Sequence, residues 1–86
     1  MMSEKLIGKS FFFRTVTYHM VGKVEEVDGN FVRLSDASWV ADSGRFMDAI
    51  QGGKLNEVEP VGEWWVNLDT VTDFGPWNHP LPKDQK

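Results

Sequence analysis

Strand-forming residues dominate the pattern between positions 10 and 27, where aromatic and β-branched side chains follow one another with few interruptions. The stretch is too long for one ordinary strand, so it predicts two strands joined at a bend. Gly22 is the expected position of this bend, because glycine tolerates the backbone of a bulge and lets another chain segment come close.

A hairpin is predicted where this stretch ends. The Asp28-Gly29 dipeptide favours a tight turn, and a further strand follows over residues 31–34. Since side chains alternate between the two faces of a strand, Val32 and Leu34 are expected to face the core and Arg33 to face outward.

A short helix is predicted over residues 43–51. Asp42 and Ser43 are the candidates for its N-cap, and one glycine of the Gly52-Gly53 pair would supply a left-handed C-cap. A helix this short has to be held by packing, because its intrinsic propensity is too weak to stabilise it.

Further strands are predicted over 55–59, where Pro60 marks an edge strand or the end of the strand, and then over 64–68 and 71–74. The chain therefore divides into three parts. An N-terminal segment covers 1–9, a single β domain covers 10–77, and a Pro-rich polar tail covers 78–86.

The composition indicates one small domain without covalent staples. The 86-residue chain has no cysteine, which excludes disulfides and cysteine-based zinc sites. His19 and His79 lie too far apart in the sequence to suggest a metal site, and no cofactor is predicted. The aromatic residues, four of them tryptophan, and self-association are then the remaining sources of stability.

Charge is spread unevenly along the chain. The first 23 residues hold four basic residues and one acidic residue, while the rest holds five basic and twelve acidic residues. The net charge is −4, and an acidic surface repels phosphate backbones. Nucleic acid is therefore the less favoured partner, while a protein or a small anionic ligand stays open as a partner beside further copies of the chain.

Two stretches resemble the motifs of Sm-like proteins. The run from Val21-Gly22-Lys23-Val24 through Asp28-Gly29-Asn30 to Val32-Arg33-Leu34-Ser35-Asp36-Ala37 is similar to the first Sm motif. Trp65-Val66-Asn67-Leu68-Asp69-Thr70-Val71 is similar to the second. The resemblance implies a mainly β, five-stranded barrel of SH3-like or Sm-like type, with the helix inserted between the two motifs. It also implies subunits joined edge to edge, and a ring is possible.

The whole chain also resembles small accessory proteins of bacteriophages. That resemblance implies a location in the host cytoplasm, and the absence of cysteine fits such a reducing compartment. No apolar run approaches the roughly 20 residues of a membrane span, so no membrane partner is expected.

The segment 36–46 is the densest cluster of polar and aromatic residues and is the candidate recognition loop. In a functional interpretation Trp39 stacks on a planar ligand, Arg45 pairs with an anion, and Asp42 and Ser43 flank the start of the helix. In a structural interpretation, Asp42 or Ser43 caps the helix, Arg45 pairs with an acid and Trp39 belongs to the core. Both interpretations stay open at this point.

His19 shares one strand face with Thr15 and Thr17 in the predicted pattern. This face is a candidate polar binding face with a pH-sensitive contact, although a solvent-facing threonine ladder is the simpler interpretation. Arg14 and Arg33 complete the candidate binding residues. A structure in which Arg14, Arg33 and Arg45 converge near Trp39 would favour an anionic ligand.

Trp64 and Trp65 are adjacent in a strand, so they point to opposite faces and one of them needs a cover. With Trp77 they are the candidate residues of an oligomer interface, because exposed tryptophan is enriched at binding hot spots.

No pattern of nucleophile, base and orienting group is present, and no enzyme is predicted. The favoured hypothesis is a non-catalytic, self-associating binding module. The alternative is an Sm-like protein that binds nucleic acid or a nucleotide, using the basic residues Lys9, Arg14, Lys23, Arg33 and Arg45.

Overall fold

A computed structural model describes residues 2–86 of the chain, with side chains from residue 4 onward. Met1 and the side chains of Met2 and Ser3, which belong to the predicted N-terminal segment, lie outside the described part. That segment forms a short 3-10 helix, Met2–Leu6, where the sequence pattern gave no helix. Leu6 packs against the core beneath it.

Five antiparallel strands form one bent sheet, as the sequence predicts. They are β1 (Ser10–Arg14), β2 (His19–Asp28), β3 (Phe31–Asp42), β4 (Glu57–Asn67) and β5 (Asp73–Pro76). The strand order is β4-β3-β2-β1-β5, so β4 and β5 are the two edges of the sheet. The helix α1, Phe46–Gly52, lies between β3 and β4.

The bend at Gly22 is confirmed, but it lies inside a strand. The register of β2 against β3 shifts between Val21 and Lys23. A Cβ atom on Gly22 would lie 3.1 Å from Cβ of Leu34 and 3.2 Å from Cα of Ala37, so the neighbouring strand approaches the glycine backbone. The break between the first two strands falls instead at residues 15–18, which form a turn.

Hydrophobic residues fill both faces of the sheet. The barrel core, on the concave side, contains Phe11, Phe13, Met20, Val24, Val32, Leu34, Ala37 and Val66. The outer core lies between the opposite face, helix α1 and residues 77–81; it contains Phe12, Val21, Val40, Ala49, Leu55, Val58 and Trp77. All three consecutive phenylalanines of β1 are buried, because successive side chains of a strand point to opposite faces. Phe11 and Phe13 enter the barrel core, and Phe12 enters the outer core.

Several boundaries differ from the sequence prediction. Pro60 does not end a strand, because β4 continues through it, but the alternative that Pro60 marks an edge strand is confirmed. An edge strand tolerates proline because its free side needs no N–H. The last strand begins at Asp73, two residues later than predicted. Gly53 ends helix α1 in the left-handed conformation, as expected.

Candidate functional site

The recognition segment 36–46 is mostly not a loop. β3 continues to Asp42, because Ala37, Ser38 and Val40 are buried and hold that part of the chain in the sheet. Only residues 43–45 connect β3 to α1. The prediction of a recognition loop over 36–46 is therefore wrong in its backbone, although its residues stay candidates for binding.

The N-cap expected at Asp42 or Ser43 is also absent. The N-cap position is Arg45, which makes no side-chain capping hydrogen bond. Asp42 instead stabilises the connection between β3 and α1, because its Oδ1 accepts a hydrogen bond from the backbone N–H of Gly44 at 2.8 Å. Ser43 is half-buried, and Arg45 is exposed. Trp39 is partly exposed and packs against Tyr18, with ring centroids 5.8 Å apart.

Arg14 links three elements beside the free edge of β5. Its Nε donates to Oδ1 of Asp73 at 2.6 Å, and its Nη2 donates to the other carboxylate oxygen. The guanidinium carbon lies 4.4 Å from the ring centroid of Phe46, which is a cation–π contact. The hydrogen bond from Arg14 lowers the pKa of Asp73 and raises that of Arg14 itself. Arg14 thus fastens helix α1 to β5.

A small cavity of about 220 Å³ opens next to this ion pair. Aromatic and aliphatic side chains form most of its wall, and Arg14 and Asp73 supply the charged part; the other lining residues are Phe12, Phe46, Ile50, Phe74, Gly75 and Pro76. The guanidinium is already paired with a carboxylate, so its charge is partly compensated before any anion arrives.

Arg33 lies apart from this cluster. Its Nε donates to Oε1 of Glu26 at 3.0 Å, and its Nη1 lies 3.9 Å from Oε2 of Glu63. The three arginines therefore do not share one anion site: Arg14 pairs with β5, Arg33 pairs with β2, and Arg45 is at the start of α1. Arginines that do not converge speak against a pocket for an anionic ligand and favour a protein partner.

His19 begins β2 and lies opposite Arg14 across the β1–β2 pair. Its ring is 5.3 Å from that of Phe12, and burial, followed by the charge of Arg14, lowers the pKa of His19. The predicted polar face is not formed, because Thr15 lies in the turn, where its Oγ1 donates to the carbonyl of Tyr18 at 2.6 Å. This turn and residues 69–72 instead border a groove of about 590 Å³.

On the barrel-core face, one aromatic side chain stands half exposed at each free edge of the sheet, whereas Trp65 is 43% exposed on the other face of β4. Trp64 of β4 pairs with Leu34, shares the barrel-core face with Val66 and is 49% exposed. Phe74 of β5 packs against Phe11 and Phe13 at 5.6 and 5.5 Å between centroids, and is 46% exposed. Both edges thus leave part of the barrel core uncovered.

The other two tryptophans of the predicted interface have different surroundings. Trp65 points to the opposite face, where it pairs with Arg33. Trp77 is only 4% exposed and stacks on Phe12 with centroids 5.7 Å apart, so it offers a second subunit almost no surface.

Sequence reasoning missed Phe74 as an edge residue and Asp73 as the partner of Arg14. The local signal was the short predicted strand over residues 71–74, and this pattern does not show which strand of the sheet is an edge.

Other chemistry is limited in the described residues. From residue 4 onward, no group of three or more histidine, aspartate and glutamate side chains could hold a metal ion. Within residues 2–86 neither helix type is long and apolar enough to span a membrane.

Comparison with solved structures identifies the architecture. A heptameric archaeal Sm protein superposes with a TM-score of 0.60 at 19% identity, covering 85% of this chain and 91% of that one. The chain has an Sm-like fold. A Pyrococcus abyssii Sm protein in complex with a uridine heptamer gives a TM-score of 0.60 at 16% identity, covering 85% of this chain and 89% of that one.

An Sm-like protein from Archaeoglobus fulgidus superposes equally well on this Sm-like fold. Its TM-score is 0.61 at 20% identity, covering 87% of this chain and 88% of that one. No protein-family model matches the sequence, and no curated protein matches it either. At these identities the likeness establishes the fold.

Proposed function

We propose that this chain is a non-catalytic subunit that self-associates edge to edge and acts as a binding module in the assembled state. The observation that carries the proposal is the pair of half-exposed aromatic residues, Trp64 and Phe74, at the two free edges of one sheet. Exposed strand edges pair readily with other strands, and uncovered aromatic side chains favour association.

The two edges suit each other. If β5 of one copy pairs with β4 of the next, Phe74 and Trp64 come to the same side of the continued sheet, next to the barrel cores that they already contact. Two Sm proteins with this fold, the heptameric archaeal protein above and one from P. aerophilum, form heptamers. They support an assembly of this kind.

Substitution of Trp64 tests the assembly. We expect Trp64→Ser to weaken self-association by about 2 kcal/mol or more, roughly 30-fold, because a hot-spot aromatic residue is lost. Light scattering coupled to size-exclusion chromatography across a concentration series measures the change. Phe31→Ser is the matched control: Phe31 is equally exposed, at 48%, but lies on the opposite face. A wild-type chain that stays monomeric throughout would refute the proposal.

Single-stranded RNA is the second candidate partner, and the initial preference against nucleic acid has to be corrected. The structure of a Pyrococcus abyssii Sm protein with bound uridine heptamer shows that this fold can present an RNA-binding surface. Here Phe31, Arg33 and Trp65 share the outer face of β3 and β4. Aromatic side chains beside an arginine form a typical stacking surface for unpaired bases.

Oligouridine binding, followed by fluorescence anisotropy, tests this candidate. We expect affinity to fall as salt rises, because phosphate contacts release counterions. Trp65→Ala should weaken binding by about 1–3 kcal/mol through the loss of base stacking. Trp39→Ala, on a partly exposed tryptophan packed against Tyr18, is the control. Equal loss in both variants would point to the segment 36–46 as the recognition surface.

A further inference from the structure

The C-terminal residues 77–86, called here the strap, run across the outer core instead of hanging free. Trp77 stacks on Phe12, and its indole N–H donates to the carbonyl of Pro80 at 3.4 Å. Nε2 of His79 lies 2.7 Å from the carbonyl oxygen of Ile50 in helix α1. Leu81 packs against the same core. These contacts direct the end of the strap toward β4.

The strap ends in a single backbone pair with the edge of β4. Lys86 and Val58 exchange both backbone hydrogen bonds, at 2.9 and 3.1 Å, which is the pattern of a hydrogen-bonded antiparallel pair. Two side-chain contacts accompany the pair: Nε2 of Gln85 donates to Glu59 at 2.7 Å, and Nζ of Lys83 lies 3.1 Å from Oδ1 of Asp36.

Pro60 divides the same edge into two parts. Proline has no N–H to donate, so a partner strand cannot pair continuously past it. At this point the register against β3 also shifts: Ala37 and Ser38 are adjacent, but their partners Gly62 and Pro60 are two residues apart. The extra residue between the partners marks a bulge. The strap covers the edge at residues 57–59, before Pro60. The edge at residues 63–67, after Pro60, keeps free backbone groups and stays open.

We propose that the strap is a built-in edge cover that keeps a second copy of this chain away from residues 57–59 and confines its strand to residues 63–67. The proposal rests on the edge-to-edge association argued above. The open part has the right length, because β5 spans four residues, Asp73–Pro76, and the open part spans five. Trp64 lies within the open part, so the exposed aromatic residue and the free backbone groups coincide.

Removal of residues 84–86 tests the cover while Trp77, His79 and Leu81 stay in place. With 57–59 uncovered, the edge offers the strand of a second copy two separate places to pair, one on each side of Pro60. We expect the dissociation constant of the assembly to fall by about twofold or more, because a second place to pair is added and its hydrogen bonds each contribute modestly. Light scattering over a dilution series measures this, and hydrogen exchange at the amide of Val58 reports the cover directly.

Val58 should be protected in the full chain at every concentration. In the shortened chain its protection should disappear on dilution and return as copies associate, while the amide of Val21 in the sheet centre stays protected and shows that the fold is intact. The variant Asp84→Ala with Gln85→Ala keeps the chain length and the backbone pair, so it should behave like the full chain.

Two outcomes would overturn the proposal separately from the assembly itself. If the full and shortened chains associate equally and Val58 stays protected in both, the strap is no edge cover, although the assembly stands. If the double variant matches the shortened chain, side chains and not the backbone pair hold the strap. If neither chain associates, the proposed assembly fails and the edge cover for a second copy fails with it.

Discussion

Ser38 is a polar residue in a place where the sheet offers it no polar partner. It lies in the interior strand β3, between Val21 of β2 and Pro60 of β4, and is fully buried. Among the described side chains, its Oγ is one of the buried polar atoms without a hydrogen-bond partner. A buried hydroxyl of this kind costs about 1–3 kcal/mol relative to an apolar group of similar size.

Ser38→Ala is therefore expected to stabilise the chain by about 1 kcal/mol, because the substitution removes the unpaired hydroxyl and leaves little space. Urea denaturation measures the free energy of unfolding. Ser35→Ala is the matched control, since Oγ of Ser35 donates to Glu25 at 2.6 Å and its loss should lower stability. A Ser38→Ala protein less stable than wild type would mean that the hydroxyl has a partner in solution.

At the scale of single residues, the sequence predicted Arg14 as a candidate binding residue and Trp64 as a candidate interface residue. It did not show what either side chain contacts. Arg14 and its partner Asp73 are 59 residues apart, and only the position of β5 beside β1 brings them together. Trp77, in contrast, was expected at an interface. Its burial depends on the strap folding back over Phe12, which no local pattern shows.

At the scale of elements, the C-terminus of helix α1 was predictable because a glycine pair follows the apolar stretch. Gly53 has φ of 68°. Its N–H donates to the carbonyl of Ala49 at 2.9 Å, and the N–H of Lys54 donates to the carbonyl of Asp48 at 3.2 Å. The structure adds a second constraint: a Cβ atom on Gly53 would lie 2.8 Å from Cγ of His79. The cap is therefore also the place where the strap passes the helix.

Gly53→Ala should cost about 1–2 kcal/mol or more of stability, since alanine is strained in the left-handed conformation and would also displace His79. Thermal and urea unfolding measure the loss. Gly52→Ala is the control, because its Cβ would meet only Cγ of Lys54, at 3.8 Å, and should change stability by less than about 0.5 kcal/mol. Equal effects at both positions would contradict the role assigned to the cap.

The strand boundaries were harder to predict than the strands themselves. Pro60 ordinarily ends a strand, so the pattern favoured two strands where β4 is one. The interruption is tolerated because β4 is an edge and carries a bulge next to the proline, between Pro60 and Gly62. Position at an edge is a property of the whole sheet, and it is not encoded in the residues around the proline.

At the scale of the whole molecule, the order of the elements was enough to predict the fold. The bent strand with Gly22, the turn at Asp28-Gly29 and the closing strands follow from local signals that agree with one another. The outer core was not foreseen, because it requires α1, from the middle of the chain, and the strap, from residues 77–86, to cover the same sheet face. The candidate assembly surface depends on that topology as well.

The two free edges of the sheet are different surfaces, and this has a consequence for the geometry of any assembly. Copies joined β4 to β5 follow one another head to tail, and such a series closes only if the rotation between neighbours divides a full circle evenly; otherwise it continues as a fibre. We expect the angle between the edges to depend in part on the register shift at Gly22. The close packing of that glycine against Leu34 and Ala37 would then help to determine how many copies complete the circle.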